Sequence, residues 1–162
     1  MRTESTPLIL VVDDDWMNRD LLQTHLQVAG YNVMTANSGE KALEIVGRQM
    51  PDLVLLDVRM HGMNGYEVCA RLKGNEATRH IPVIIVTALD KDDDYQKAVE
   101  VGVDDFLPKP FNSILMLTRI RSLLRVKYQH DLLMQREERL RAVLDQYVAP
   151  ETAAQILADL EG

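Results

Sequence analysis

Five short apolar runs, each followed by a stretch with helical spacing, restrict this chain more than any other feature. They are "LILVV" at 8–12, "NVMTA" at 32–36, "DLVLL" at 52–56, "PVIIV" at 82–86 and "DFLP" at 105–108. Three are continuous Val/Ile/Leu runs, the pattern of strands buried on both faces of a parallel sheet. Leu21, Leu22, His25 and Leu26 share one helical face, as do Ala42, Leu43, Ile45 and Val46. Tyr66, Val68, Cys69 and Leu72 make a third face, and Tyr95, Ala98, Val99 and Val101 a fourth. Gly30 and Gly102 stand where helices stop. This alternation predicts an α/β fold: a doubly wound, five-stranded parallel sheet with helices on both faces.

Such a sheet places its site at the carboxyl ends of its strands. The first run delivers Asp13 and Asp14, the third Asp57, the fourth Thr87 and the fifth Lys109. With the first and third strands adjacent, three carboxylates converge, and a half-buried pocket cannot keep all three ionised without a cation. A hard divalent ion with oxygen ligands fits, Mg²⁺ best. The repulsion within "DDD" at 13–15 thus reads as a metal site. A metal beside a carboxylate, a hydroxyl and an ammonium suits a phosphoryl group, and a carboxylate can itself be the nucleophile. Neither "GxxxxGK[ST]" nor "GxGxxG" occurs, so no nucleotide cradle is visible.

The remainder differs in kind. Residues 1–112 carry the whole net charge of −7, with 18 acids against 11 bases, whereas residues 113–162 hold 7 of each. From Ser113 to Val148 there is no Gly or Pro, enough for a helix of roughly 54 Å. Leu123, Val126, His130, Leu133, Glu137, Leu140, Leu144 and Tyr147 fall on alternating spacings of three and four. They predict a coiled-coil seam interrupted at His130 and Glu137, and a homodimer through residues 120–147. A single helix lying along the domain is the other reading. "APETAAQILADLEG" then starts a short helix with Pro150 near its first position, read as the beginning of a further domain.

The acidic balance disfavours a nucleic-acid partner. No apolar run approaches the roughly 20 residues that span a bilayer, and "MRTESTP" lacks the apolar core of a secretory signal. One cysteine, Cys69, makes no internal disulfide and fits a reducing cytoplasm.

Four pieces together, "LILVVDDDWMNRDLL", "PDLVLLDVRMHGMNGYEVC", "IPVIIVTALD" and "VGVDDFLPKPF", resemble the receiver domains of two-component response regulators in order and spacing. The resemblance covers about residues 6–125. It implies a flavodoxin-like strand order 2-1-3-4-5. It further implies that Asp57 is the phosphoacceptor, fed by a histidine kinase or phosphotransfer protein. Asp14, Asp57 and the Arg59 backbone carbonyl would ligate Mg²⁺, with Asp13 acting through water. Lys109 would pair with the phosphoryl group, the Lys109–Pro110 bond would be cis, and Thr87 and Phe106 would form the switch pair. The domains expected are a receiver at 1–125 with its fifth helix starting about 112, a coiled-coil linker at 126–148, and a short helix at 149–162 opening an output domain. "LDQYVAPETAAQILADLEG" resembles the segment ahead of class III nucleotide cyclase domains; phosphodiesterase and diguanylate cyclase outputs stay open.

The chain departs from the receiver pattern at "MHGM", where Pro usually follows the Met; His61 reads as a solvent-facing loop residue. Phe106 carries no hydroxyl, and Arg59 and Leu89 occupy positions that tune water access. Trp16 is expected to pack on the first helix or to cover the metal site, and Cys69 to be an inert core residue. His25 and His130 read as surface or seam positions rather than ligands. Two other functions are weighed against the switch: a pseudo-receiver acting as a binding or dimerisation module, and a metal-dependent phosphatase.

Overall fold

A computed structural model describes residues 5–88, 92–147 and 150–161. It divides into two compact units, Met1–Lys127 and Tyr128–Gly162.

The first unit is built on strands β1 (Leu8–Val12), β2 (Asn32–Ala36), β3 (Leu53–Asp57), β4 (Val83–Thr87) and β5 (Asp105–Pro108). All neighbours pair in parallel, in the order β2-β1-β3-β4-β5. Helices α1 (Trp16–Val28), α2 (Gly39–Arg48), α3 (Gly65–Lys73) and α4 (Asp92–Val101) connect the strands, and α5 (Ser113–Tyr147) follows β5. The doubly wound α/β fold and strand order expected from the sequence are those found.

Side chains alternate across the sheet with the strand period of two. Leu10, Val12, Val54, Leu56, Val83 and Ile85 face Ala42 and Val46 of α2 and Val68, Cys69 and Leu72 of α3. Ile9, Val11, Leu53, Leu55, Ile84, Val86 and Leu107 face Leu22 and Leu26 of α1 and Met116 and Ile120 of α5. Strands buried on both faces explain why their sequences are continuous rather than alternating. Truncating such a residue, Leu56→Ala for example, typically costs about 2–5 kcal/mol.

Some expectations shift. Strands β3 and β4 each sit one residue later than their apolar runs suggest. Asp52 stays outside β3 because its carboxylate accepts the Leu8 N–H at 2.8 Å and meets the Lys127 ammonium at 3.4 Å. Pro82, which has no N–H to give a ladder, precedes β4, although its carbonyl accepts from Val54. Leu21 lies off the buried face of α1, and Tyr95 and Val99 lie off that of α4, where Ala98 is buried. Trp16, the first residue of α1, is 67% exposed.

In the second unit, the distal part of α5 leads to α6 (Pro150–Glu161), which begins at Pro150. Leu133, Leu140 and Tyr147 of the expected seam are exposed, as is Val126 within the first unit. No helix among the described residues is long and apolar enough to cross a membrane.

Candidate functional site

The chain leaves β1 toward β2 on one side while β3 pairs on the other, so a crevice opens at the carboxyl ends of β1 and β3. Val12 pairs with Leu56, which puts Asp13 beside Asp57. Asp57 in turn pairs with Val86, ahead of Thr87. The Lys109 N–H donates to the Thr87 carbonyl at 2.8 Å, and the Lys109–Pro110 peptide bond that follows is cis.

These placements gather the residues that the sequence singles out. Asp13, Asp14 and Asp57 each present a carboxylate oxygen within 4.8 Å of the others. Lys109 Nζ lies 2.8 Å from Asp57 Oδ1. Asp13, Asp57 and Thr87 are buried, whereas Asp14 is exposed at the mouth. The three consecutive aspartates have separate tasks. Asp13 Oδ1 accepts the Asp15 N–H at 2.9 Å, and Asp15 caps α1 by accepting from Met17. Asp15 is thus a helix cap, not a member of the cluster. Arg19, the nearest base in sequence, gives its guanidinium to the Asp13 carbonyl at 2.7 Å.

The carboxylates strain against one another. Burial, with repulsion from Asp57 and Asp14, pushes Asp13 up to about 6, against the pull of the Asp15 N–H and of Lys109. A half-buried triad with one ammonium beside it is the donor set of a hard divalent cation.

Glycine brings the next helix close. The Gly65 N–H donates to the Val58 carbonyl at 2.9 Å, and a Cβ at Gly65 would run into the Asp57 carbonyl oxygen. Asn64 and Glu67 form a capping box at the start of α3. Arg59 and His61 are exposed on the intervening loop; Leu89 lies outside the described residues. Phe106, half-buried on β5, meets the Tyr95 ring at 5.2 Å between centroids, tilted by 52°. His25 packs edge-on against Phe111 at 5.7 Å. Cys69 is fully buried, and burial pushes its thiol up to about 11, consistent with an inert core residue.

Comparison with known proteins decides the family. The model of the response regulator receiver domain matches residues 9–121. The chain belongs to the response regulator receiver family. Among curated relatives, response regulator PleD of Caulobacter vibrioides is 47% identical over 129 residues, which cover 80% of this chain and 28% of PleD. The DNA-binding dual master transcriptional regulator RpaA of Synechocystis is 41% identical over 74% of this chain and 49% of its own length. This chain therefore spans less than half the length of those relatives. Among solved structures, the Vibrio cholerae chemotaxis protein CheY4 has a TM-score of 0.70 at 28% identity, covering 74% of this chain and 99% of that one. The signal receiver domain of a modulated diguanylate cyclase from Desulfovibrio desulfuricans has a TM-score of 0.70 at 26% identity, covering 78% of this chain and 99% of that one. The receiver domain of a two-component response regulator, a phosphorylation switch, thus occupies most of the first unit. Its acidic pocket is the Asp13, Asp14 and Asp57 cluster.

Proposed function

We propose that Asp57 is the phosphoacceptor of this receiver. A carboxylate oxygen of Asp57 attacks the phosphorus of a phosphohistidine on a kinase or phosphotransfer protein. The P–N bond breaks, the imidazole leaves with its electron pair, and an aspartyl phosphate forms. The observation that carries this reading is the meeting of three carboxylates with Lys109 at the end of β3.

Asp13, Asp14, Asp57 and the Arg59 carbonyl are the groups that would hold Mg²⁺. When bound, the ion supplies charge neutralisation for the phosphoryl oxygens. Lys109 holds Asp57 in place before transfer and stands ready to pair with the phosphoryl group. The Thr87 hydroxyl, one strand away, turns to a phosphoryl oxygen, and the Phe106 ring, which meets Tyr95 before transfer, follows inward. Incubation with acetyl phosphate and Mg²⁺, read by intact mass, tests the reading. Wild type gains one phosphoryl group and Asp57→Asn gains none. No gain in wild type would favour a pseudo-receiver, and turnover of an external phosphate ester would favour a phosphatase.

The signal leaves through α5. The exposure of Val126, Leu133, Leu140 and Tyr147 in the single chain supports a parallel homodimer held by residues 120–147. The receiver then occupies residues 1–125, the linker 126–148, and α6 opens an output domain, for which the tail favours a nucleotide cyclase. The setting proposed is the cytoplasm, with neither nucleic acid nor membrane as partner.

A further inference from the structure

The loop that follows Asp57 is tied to the domain by two carboxylates from other elements. Asp14 Oδ2 accepts the His61 N–H at 3.2 Å, and Glu40 Oε1 accepts the Met63 N–H at 3.2 Å. Gly62 lies between those two donors at φ +77°, and a Cβ there would come within 3.1 Å of Glu40 Oε1. The Glu40 carboxylate therefore fills the inside of the turn.

The helix turn that carries Glu40 is itself fixed. Glu40 lies in the first turn of α2, whose N-cap Ser38 accepts the Lys41 N–H at 3.1 Å. The preceding Gly39 packs so closely that a Cβ would sit 3.1 Å from Met63 Cβ and 2.7 Å from Val68 Cγ2. Helix α2 thus packs so close to the loop that a Cβ at Gly39 would force its neighbours to shift, and it presents Glu40 to the Met63 N–H.

The two tethers are not equivalent. Asp14 belongs to the acidic cluster, where a cation competes for its lone pairs. Glu40 does not belong to it and can keep its hydrogen bond whatever occupies the site. We propose that Glu40 is a positioning residue for the metal-dependent phosphoacceptor site, an inference that rests on the reading above. It fixes the turn at 61–63, and through it both the Arg59 carbonyl and the His61 N–H that steadies Asp14. Without it, Asp14 must hold the loop and serve a cation together.

Outer groups that orient metal ligands typically change affinity by 10–100-fold. Glu40 is exposed, so the lower end, about tenfold, applies. The test is a calorimetric Mg²⁺ titration of wild type, Glu40→Ala and Glu40→Gln, with urea unfolding of each in the absence of Mg²⁺. Glu40→Ala should bind Mg²⁺ about tenfold more weakly. Glu40→Gln keeps an acceptor oxygen and should stay within about twofold of wild type. All three should unfold at similar urea concentrations. Three results would overturn the assignment: Glu40→Ala binding as wild type does; Glu40→Gln losing as much affinity as Glu40→Ala; or a loss in Glu40→Ala matched by an equal loss of metal-free stability. A wild type that binds no Mg²⁺ and takes no phosphoryl group removes the functional reading and this inference with it. A wild type that is phosphorylated normally beside an unaffected Glu40→Ala removes the inference alone.

Discussion

Lys109 Nζ sits 2.8 Å from Asp57 Oδ1, joining the ends of two strands that have β4 between them. The Asp57 carboxylate is nearly closed off from solvent, while the Lys109 side chain is one-third exposed. The pair is therefore more than a surface bridge, because the ammonium is what allows Asp57 to lie beside two further carboxylates.

Removing that ammonium should cost stability as well as function. Lys109→Ala is expected to lower metal-free stability by about 2 kcal/mol, below the roughly 3–5 kcal/mol of a fully buried pair. Mg²⁺ should restore part of the loss by replacing the missing charge. Urea unfolding with and without Mg²⁺ measures both, and equal midpoints for variant and wild type would contradict the assignment.

Asp13 sets a pH dependence whose sign follows from its elevated value of about 6, against 3.8 for the unperturbed group. Between about pH 4 and pH 6 the folded protein binds a proton that the unfolded chain has already lost. Stability of the metal-free protein should therefore fall as pH rises through that window, by an amount on the order of 3 kcal/mol. Asp13→Asn should remove this slope. Mg²⁺ competes with the proton, so its affinity should weaken on acidification below about 6.

At Gly65 the fold and the site impose one demand. A Cβ would strike the backbone of Asp57 rather than a flexible side chain, and backbone cannot yield without moving the phosphoacceptor. Gly65→Ala should destabilise the protein by about 3 kcal/mol or more and slow phosphorylation. Thermal unfolding and phosphorylation rate check the two effects separately, and a wild-type melting temperature would contradict the close approach.

Most of this was legible in the sequence because the information is local. Apolar runs ending on Asp13, Asp57, Thr87 and Lys109 give both the strands and the side chains at their ends. What was not legible depends on contacts between distant elements. Asp52 reads as the first residue of a strand, but its carboxylate joins Leu8 to Lys127 and so stands outside β3. Nothing in the sequence singles out Glu40, and only the folded loop shows which N–H it meets. Leu21 belongs to the apolar stripe of α1 yet is exposed, because a helical stripe wider than the core it faces leaves its edges in water.

The proposed homodimer rests on the helical seam whose Val126, Leu133, Leu140 and Tyr147 are exposed in the single chain. The Lys127–Asp52 pair marks the last residue of the compact first unit, so a fragment ending at Lys127 retains it. Light scattering should find the whole chain dimeric at tens of micromolar and this fragment monomeric when unphosphorylated. A monomeric whole chain would contradict the seam, and a dimeric fragment would place the interface on the receiver itself.

The central claim is that Asp57, and no other carboxylate of the cluster, receives the phosphoryl group. Borohydride reduces an aspartyl phosphate to homoserine and leaves free aspartate unchanged. Protein treated with acetyl phosphate and Mg²⁺, reduced, digested and mapped by tandem mass spectrometry should carry homoserine at position 57 alone. Homoserine at position 13 or 14, or a phosphorylated protein with aspartate intact at position 57, would contradict the account.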